Sequence, residues 1–364
     1  MSKNTFQLNI AIHPGESLEE LLETINMSQI ELAERTGLTN KTINEIVQGK
    51  NSITSETAIK LASVFGMSAE YWNNKERRYQ ETLSHLQMQE ELEKEKGFLK
   101  KFTCYKKLQE LGFVENTKEP KEKVRNLLSF FGVSSLEFIH KTQAVAFRKM
   151  PKENTDNIAL AAWLRAGEVK GAEIKTEPFD KKKLLASIPK LRALSRKKPE
   201  VYSEEIRGLL ASCGIAVVYM PYFEKTYVHG ATRWISSEKA LIQLSLLYKW
   251  EDMFWFSLFH EIGHIVKHGK KEEFLEFKNA DNKFEKKEEE ADEFAQKTLI
   301  ADKDLRDLQN ISPTSIKSLA QKIDIAPSIV AGRVAHELSV KGNNHGWKAF
   351  ANMRPRLELT GNGS

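Results

Sequence analysis

One run of aromatic and aliphatic residues, FWFSLFHEIGHIVKHG at 254–269, restricts the fold more than any other stretch, because it holds two histidines four positions apart. On a helix these positions lie one above the other, so His260 and His264 present two imidazoles on one face. Glu261 points to the neighbouring side, where it can take a proton from a water molecule that a metal ion activates. The run therefore predicts a zinc-binding helix that ends near Gly269.

A zinc ion needs a third protein ligand besides the two histidines. His268 is the nearest candidate, but it lies about 12 Å from His260 along the same helix, so it cannot reach the same ion. We interpret His268 as a histidine at the negative end of the helix dipole.

The segment KKEEEADEFAQKTL at 286–299 offers a better third ligand. Its apolar residues recur at helical spacing, and Glu288 falls inside this inward stripe whereas the next two glutamates fall outside it. A buried carboxylate needs a cation partner. We therefore predict that Glu288 binds the zinc ion and that Asp292, one turn later, accepts the ring N–H of a ligand histidine. The alternative is that the three glutamates form a solvated helix face.

The N-terminal part of the chain shows apolar stripes at helical spacing, separated by helix caps and glycines. Ser28 followed by Glu31 forms a capping box, and Thr39 and Thr54 are N-cap residues for the next two helices. The inward positions predicted for the first two helices are Leu18, Leu21, Leu22, Ile25, Ile30 and Ala33.

A fifth short helix around Tyr71 and Trp72 is predicted to complete a five-helix domain at 1–74. Its second and third helices are joined by a short turn with glycine, which is the layout of a helix-turn-helix DNA reader. The stretches SQIELAERTGLTNKTINEIVQGK and ITSETAIKLASVFGMSAEYW resemble the XRE or Cro/C1 repressor family, in particular the branch of antidote proteins in toxin and antitoxin modules.

That resemblance implies a DNA-binding transcriptional regulator whose third helix enters the major groove of an operator in double-stranded DNA. The residues it assigns to DNA contacts are short polar or basic ones of the kinds that pair with bases and phosphates. They are Gln29, Asn40, Lys41, Thr42, Asn44, Gln48, Lys50 and Asn51.

The charge of this domain leaves an alternative open. Residues 1–74 hold five basic residues and nine glutamates, a net charge of −4, and phosphate contacts supply much of the affinity for DNA. The alternative is therefore a helix bundle kept for protein contacts. Lys41 and Lys50, however, fall on the surface that is expected to meet the DNA. A homodimer on a palindromic operator would present two copies of each of these lysines to the phosphates.

Length and composition limit the number of domains and the class of protein. At 364 residues the chain is expected to hold two or three domains. The sequence has no run of about 18 apolar residues and no signal-peptide pattern, so we expect no membrane span and a cytoplasmic location. Its two cysteines lack the paired spacing of a disulfide framework or a cysteine zinc site.

Between the two candidate sites the sequence predicts mostly helix. Residues 75–195 read as a charged helical linker or dimerisation region that includes a short amphipathic helix at 159–166. Three β-branched or apolar runs then predict strands at 215–220, 228–235 and 241–246. We expect a mainly α protein with an α+β domain and a small sheet at 196–340, followed by a C-terminal tail at 341–364.

Three stretches after residue 200 resemble the ImmA/IrrE family of metallopeptidases: HEIGHIVKH, EEEADEFA and IAPSIVAGRVAHE. The resemblance implies a gluzincin-like zinc metalloendopeptidase whose protein substrate is a helix-turn-helix repressor. This chain departs from the family at TLIAD, which lies away from the expected ligands.

The combined hypothesis is a regulator whose zinc domain hydrolyses a peptide bond in a repressor, an antitoxin or the chain itself. Glu261 would act as the general base and acid. A further donor should stabilise the developing oxyanion, and the candidates are His336 first, then His229 and Tyr248. The alternative is an antitoxin-type repressor whose zinc domain senses or binds a partner without turnover.

Overall fold

The computed structural model describes residues 10–142, 155–245, 250–268, 274–275, 282–306, 311–341 and 346–357. The chain divides into two compact units, Met1–Gly97 and Phe98–Ser364. The region predicted as a linker, 75–195, is thus shared between the two units. None of the described helices is both long and apolar enough to cross a bilayer.

The first unit consists of helices only, among the residues the structure describes. They are α1 (Pro14–Thr24), α2 (Gln29–Thr36), α3 (Asn40–Val47), α4 (Ser55–Phe65) and α5 (Ala69–Glu95). The predicted N-caps are present: the side chains of Ser28, Thr39 and Thr54 each accept a hydrogen bond from the backbone N–H three residues later. The second half of the predicted capping box is wrong, because the Glu31 carboxylate accepts from Arg35 instead of the Ser28 backbone. The N-cap bonds satisfy N–H groups that have no partner within their own helix. The local signals therefore set where α2, α3 and α4 begin.

Two predicted inward positions in this unit are wrong. Leu18 and Leu22 are buried, but Ile25 and Ile30 are exposed to solvent. Leu32, Ala33 and Thr36 form the buried face of α2, and a residue two positions before Leu32 lies on the opposite side of a helix. Spacing alone could not decide between the two faces of this short helix.

The fifth helix is also longer than predicted. Instead of a short helix followed by a separate charged one, α5 runs for 27 residues without interruption. Trp72 is buried at its beginning among the core residues of α1 to α4. The charged sequence that follows has high helix propensity and nothing that would end the helix before Gly97.

The second unit contains helices on both sides of one sheet. Its helices are α6 (Tyr105–Glu110), α7 (Pro120–Phe131), α8 (Ile139–Thr142), α9 (Asn157–Glu173), α10 (Lys181–Ala193), α11 (Pro199–Ala211), α12 (Glu251–Lys267), α13 (Asn282–Leu299), α14 (Asp302–Arg306), α15 (Pro313–Lys322), α16 (Pro327–Val340) and α17 (Gly346–Ala349). Short 3-10 helices occupy Lys96–Lys101, Leu136–Phe138, Leu194–Arg196 and Ala351–Met353.

The sheet has the order β1-β3-β2-β4. Its strands are β1 (Ile215–Met220), β2 (Gly230–Ser236), β3 (Lys239–Ser245) and the two-residue β4 (Phe274–Leu275). β1 pairs with β3 in parallel, whereas β2 is antiparallel to both of its neighbours. The three predicted strands are present, with boundaries that differ by at most two residues at 230–236 and 239–245.

Helices cover both faces of the sheet. Ile215, Val217, Ile242 and Leu244 point to one face and share a core with α12. Leu241 and Gln243, which alternate with them, point to the other face and contact α9. The sheet is therefore the middle layer of three.

Helix α9 differs from the predicted short amphipathic helix. It has 17 residues, and its nine buried residues are distributed around the helix rather than along one face. The buried Gln243 side chain donates a hydrogen bond of 2.6 Å to the carbonyl oxygen of Trp163 on α9. Its residues 159–164 are apolar all round the helix, which is typical of an interior rather than of a linker, and α9 packs directly against β1 and β3.

The described part of the predicted C-terminal tail is packed against the N-terminal end of α12. Arg354 is buried, with its Nε and Nη2 atoms 2.9 Å from Asp252 Oδ2. Its guanidinium group stacks on Trp347 and Trp250 at 4.5 and 5.0 Å from the ring centroids. Glu251 donates its backbone N–H to the carbonyl oxygen of Pro355. Residues 346–357 thus pack onto the second unit through buried residues such as Phe350, Arg354 and Leu357.

Candidate functional site

The two histidines of the motif lie in the buried second half of α12, where α13 crosses it closely. Gly263 makes this crossing possible, because a Cβ atom at that position would lie 3.1 Å from Ala291 Cα on α13. The close approach carries Glu288, one turn before Ala291, to the level of His260 and His264.

The side chains of His260, His264 and Glu288 converge on one point. Among the described residues they form the group of three whose ligand atoms lie within 4.8 Å of one another. The two Nε2 atoms are 2.9 Å apart, and Glu288 lies 3.3 Å from His260 and 3.7 Å from His264. Ligands at about 2.1 Å from a tetrahedral zinc ion are about 3.4 Å from each other. The three groups therefore fit a zinc ion in both chemistry and spacing.

Asp292 orients the first of these histidines. Its Oδ1 atom lies 2.8 Å from Nδ1 of His260. A neutral imidazole that donates Nδ1–H to this carboxylate presents the lone pair of Nε2 towards His264 and Glu288. Asp292 is on the same helix as Glu288, so α13 supplies both a candidate ligand and the group that sets the tautomer.

The protonation states of the group suit a metal ion. Burial lowers the pKa of His264 to about 4. Burial raises the pKa of Glu288, but its contacts with the His260 and His264 rings outweigh that effect and bring it to about 2. His264 is thus neutral and Glu288 ionised at pH 7, and these are the forms that bind metals.

Glu261 points from α12 towards β2. Its Oε2 atom accepts a hydrogen bond of 2.5 Å from the hydroxyl of Thr232. Gly230 on the same strand is close as well, because a Cβ atom there would lie 2.4 Å from Glu261 Oε1. The carboxylate of Glu261 thus uses the space that the absent side chain of Gly230 leaves. Thr232 was missed, and the only available signal was its place two residues after a strand glycine.

The other histidines are placed differently. His268 follows the end of α12, and its ring nitrogens lie 3.2 Å from the Lys287 carbonyl oxygen and 3.7 Å from Glu290 on α13. Its ring also lies beside that of His264, at 5.3 Å between centroids, but it does not belong to the group of three converging ligands. His336 is exposed on α16. His229 is half-buried and directly precedes β2. Tyr248 lies outside the described residues.

In the first unit the predicted DNA contacts lie on and around α3. Asn40, Lys41, Gln48, Lys50 and Asn51 are exposed, while Gln29, Thr42 and Asn44 are half-buried. Gln48 donates to Asn44 at 3.2 Å and accepts from Lys50 at 2.7 Å. Ile43, Ile46 and Val47 hold the opposite face of α3 in the core. One face of α3 is therefore polar and open to solvent.

Comparison with known proteins agrees with this division. A helix-turn-helix family model matches residues 18–72, and the model of the IrrE N-terminal-like domain, Peptidase_M78, matches residues 212–335. Virulence-associated protein I of Dichelobacter nodosus is 41% identical over 70 residues, which is 19% of this chain and 65% of that protein. The chain thus spans less than two thirds of this curated relative.

Two solved structures are each similar to about a quarter of the chain. An addiction module antidote protein of the HigA family from Coxiella burnetii is 36% identical, covers 23% of this chain and 94% of its own, and has a TM-score of 0.22. The Pseudomonas aeruginosa antitoxin HigA with the higBA promoter is 31% identical, covers 24% and 95%, and has a TM-score of 0.23.

Residues 18–72 form one domain of helix-turn-helix type. The order of its helices, the polar face of α3 and the family match all indicate this. The three-layer fold around α12 and the match at 212–335 describe the other. The chain thus contains an XRE-type helix-turn-helix domain at 18–72 and an IrrE-like Peptidase_M78 domain at 212–335.

Proposed function

We propose that this DNA-binding regulator carries a working zinc endopeptidase, which hydrolyses a peptide bond in a repressor, an antitoxin or the chain itself. The observation that carries the proposal is the convergence of His260, His264 and Glu288 from two helices beside a buried Glu261. Three protein ligands of this type leave a fourth position open, which distinguishes catalytic from structural zinc sites.

Zinc bound here would polarise the scissile carbonyl group and lower the pKa of a water molecule. The residues of the chain do the rest. His260, His264 and Glu288 hold the ion, and Asp292 keeps His260 in the ligating tautomer. Glu261 accepts a proton from the attacking water and delivers it to the leaving amine, so that one water and one peptide bond become a carboxylate and an amine.

A hydrogen-bond donor to the oxyanion would complete this mechanism. His336 remains our first proposal for that role, and His229 the second. His229 lies next to the strand segment that contacts Glu261, which favours it by position. His336 is exposed on α16, the helix that packs along α12.

For the first domain we propose that a homodimer places α3 of each protomer in the major groove of a palindromic operator. Asn40, Lys41, Asn44 and Gln48 would face the bases, with Lys50 near the phosphates. Since the domain carries few basic residues, we expect a shallow dependence of affinity on salt. Selection from random DNA with the full-length protein tests this, and an unenriched pool would contradict it.

The peptidase proposal is tested with full-length protein and the Glu261→Gln variant. We expect the wild type to hold about one zinc per chain by elemental analysis and to cleave members of a peptide library read by mass spectrometry. Glu261→Gln should keep the zinc and the DNA binding and lose cleavage. Cleavage of the chain itself would appear in the same samples as a change of intact mass.

A matched pair of variants tests the third ligand. Glu288→Gln removes a candidate ligand, whereas Glu289→Gln changes an exposed neighbour on the same helix. We expect zinc to be lost only from the Glu288 variant. If Glu261→Gln behaves like the wild type in cells while zinc stays bound, the domain is a non-catalytic sensing or partner-binding module.

A further inference from the structure

Glu261 is the candidate general base, and its carboxylate lies in the interior. Its side chain is fully buried, and Thr232, its hydrogen-bond partner, is 1% exposed. A carboxylate ends in a torsion that is broad and roughly two-fold, so a general base held only by its own helix would sample several orientations. In this domain a second element, the strand β2, restricts it.

Two residues of β2 share this task. Gly230 and Thr232 are two positions apart on the strand, so they face the same side of the sheet. Gly230 meets the Oε1 side of the carboxylate, where a Cβ atom would lie 2.4 Å away, and Thr232 donates to Oε2. We call these two residues the strand seat.

The strand seat is held in register by the sheet. Gly230 is opposite Leu244 and Thr232 is opposite Ile242 on β3. Both partners are buried in the core that β3 shares with α12. A shift of β2 by one residue would turn both seat residues to the other face, so the sheet fixes the position of the seat relative to α12.

We propose that Thr232 is a positioning residue for the peptidase reaction. Its hydroxyl fixes the plane of the Glu261 carboxylate, and Gly230 supplies the space that this orientation needs. The inference rests on the proposed function, because a fixed orientation matters for catalysis only if Glu261 transfers protons. Misplacement of a reacting group by about 1 Å lowers rates by about 100-fold, so loss of the hydroxyl should slow the reaction rather than weaken substrate binding.

The first test compares Thr232→Val, which keeps the shape and removes the hydroxyl, with Thr232→Ser, which keeps the hydroxyl. Thr226→Val is the matched control, because Thr226 is equally buried and its hydroxyl donates at 2.7 Å to a backbone carbonyl of Phe223. Kinetics use full-length zinc-loaded protein and a quenched fluorogenic peptide that covers the bond mapped with the peptide library.

We expect Thr232→Val to lower kcat by about 10-fold to 100-fold with KM changed by less than about two-fold. Zinc content should stay at the wild-type level. Thr232→Ser should keep most of kcat, and Thr226→Val should leave it unchanged. Equal kcat values for Thr232→Val and Thr226→Val would overturn the inference, as would a loss confined to KM.

A second measurement does not depend on activity. Melting temperatures of the wild type, Thr232→Val, Glu261→Leu and the double variant form a thermodynamic cycle. We expect Thr232→Val to lower the melting temperature more when Glu261 is present than in the Glu261→Leu background, where the hydroxyl keeps only its contact of 3.3 Å with the backbone carbonyl oxygen of residue 261. Additive effects would mean that the contact is absent and would overturn the inference.

The two measurements separate the possible failures. A wild type that cleaves nothing, combined with a coupled cycle, would contradict the proposed function and the positioning role of Thr232 in it, while the contact itself would stand. A wild type that cleaves, combined with an additive cycle, would contradict the inference and leave the proposed function intact.

Discussion

Replacement of Arg354 by methionine should destabilise the second domain strongly. The guanidinium group is buried and makes two contacts of 2.9 Å with Asp252 Oδ2. Removing one partner of a buried ion pair leaves an uncompensated charge and costs about 3–5 kcal/mol. At about 2–4 °C per kcal/mol for a domain of this size class, the melting temperature should fall by roughly 10 °C.

Arg356→Met is the matched control for this change. Arg356 is exposed, although it also lies over the Trp250 ring at 5.1 Å. A cation–π contact at an exposed site contributes about 0.5–1 kcal/mol, so the control should lose far less stability. Asp252→Asn combined with Arg354→Met should recover part of the lost stability, because it removes the buried carboxylate that no longer has a cation partner.

The stability that Arg354→Met loses should also depend on pH. Burial raises the pKa of Asp252, and the Arg354 charge opposes this rise. Without the arginine the folded-state pKa moves further above the unfolded value of about 3.9. The folded chain then binds more protons than the unfolded chain, so stability falls as pH rises from about 4. The difference between variant and wild type should therefore be larger at pH 8 than at pH 5.

Tryptophan fluorescence during thermal unfolding suits this experiment, because five of the six tryptophans belong to the second unit. Equal losses for Arg354→Met and Arg356→Met would refute the reasoning. So would a difference between variant and wild type that stays constant from pH 5 to pH 8.

Two further predictions concern packing and protonation. Gly167→Ala should destabilise the domain by about 1–3 kcal/mol, because the new Cβ would lie 1.9 Å from Gln243 Oε1. Gly208→Ala, in α11 with no atom within 4 Å of the new Cβ, should instead stabilise it by up to about 1 kcal/mol in the same chemical denaturation experiment. Since burial lowers the pKa of His264 from 6.5 to about 4, the unfolded chain binds more protons in this range, and the zinc-free protein should lose stability as pH falls from 6.5 to 4. Melting curves in the presence of a chelator test this, and a flat profile would contradict it.

Local sequence signals predicted the parts of the fold that depend on short-range chemistry. The caps at Ser28, Thr39 and Thr54 are set by side chains three residues from their partners. The orientation of Glu288 follows from helical phase within one segment, and the structure has its carboxylate 3.3 Å from His260. Each of these inferences needed only the geometry of a single helix.

The remaining features depend on partners that are distant in the chain. Nothing near Thr232 indicates that its hydroxyl meets a residue 29 positions later. The apolar face of α9 and the sequence around Arg354 looked like linker and tail because their partners, β3 and Asp252, are 80 and 102 residues away. Pairings at such separations depend on tertiary packing, which periodicity in a single segment does not encode.

The contact between Arg354 and Asp252 also affects when the second domain can finish folding during translation. The 102 residues between them take about 5–20 s to be translated at ordinary elongation rates. During that time α12, with its two histidines, has emerged while its N-terminal end still lacks the segment that packs on it. In the described part of the helix-turn-helix domain, contacts such as that between the His13 and Tyr79 rings are complete by residue 79, so this domain can fold early. A cell would therefore hold a nascent chain with a folded helix-turn-helix domain well before the second domain is complete.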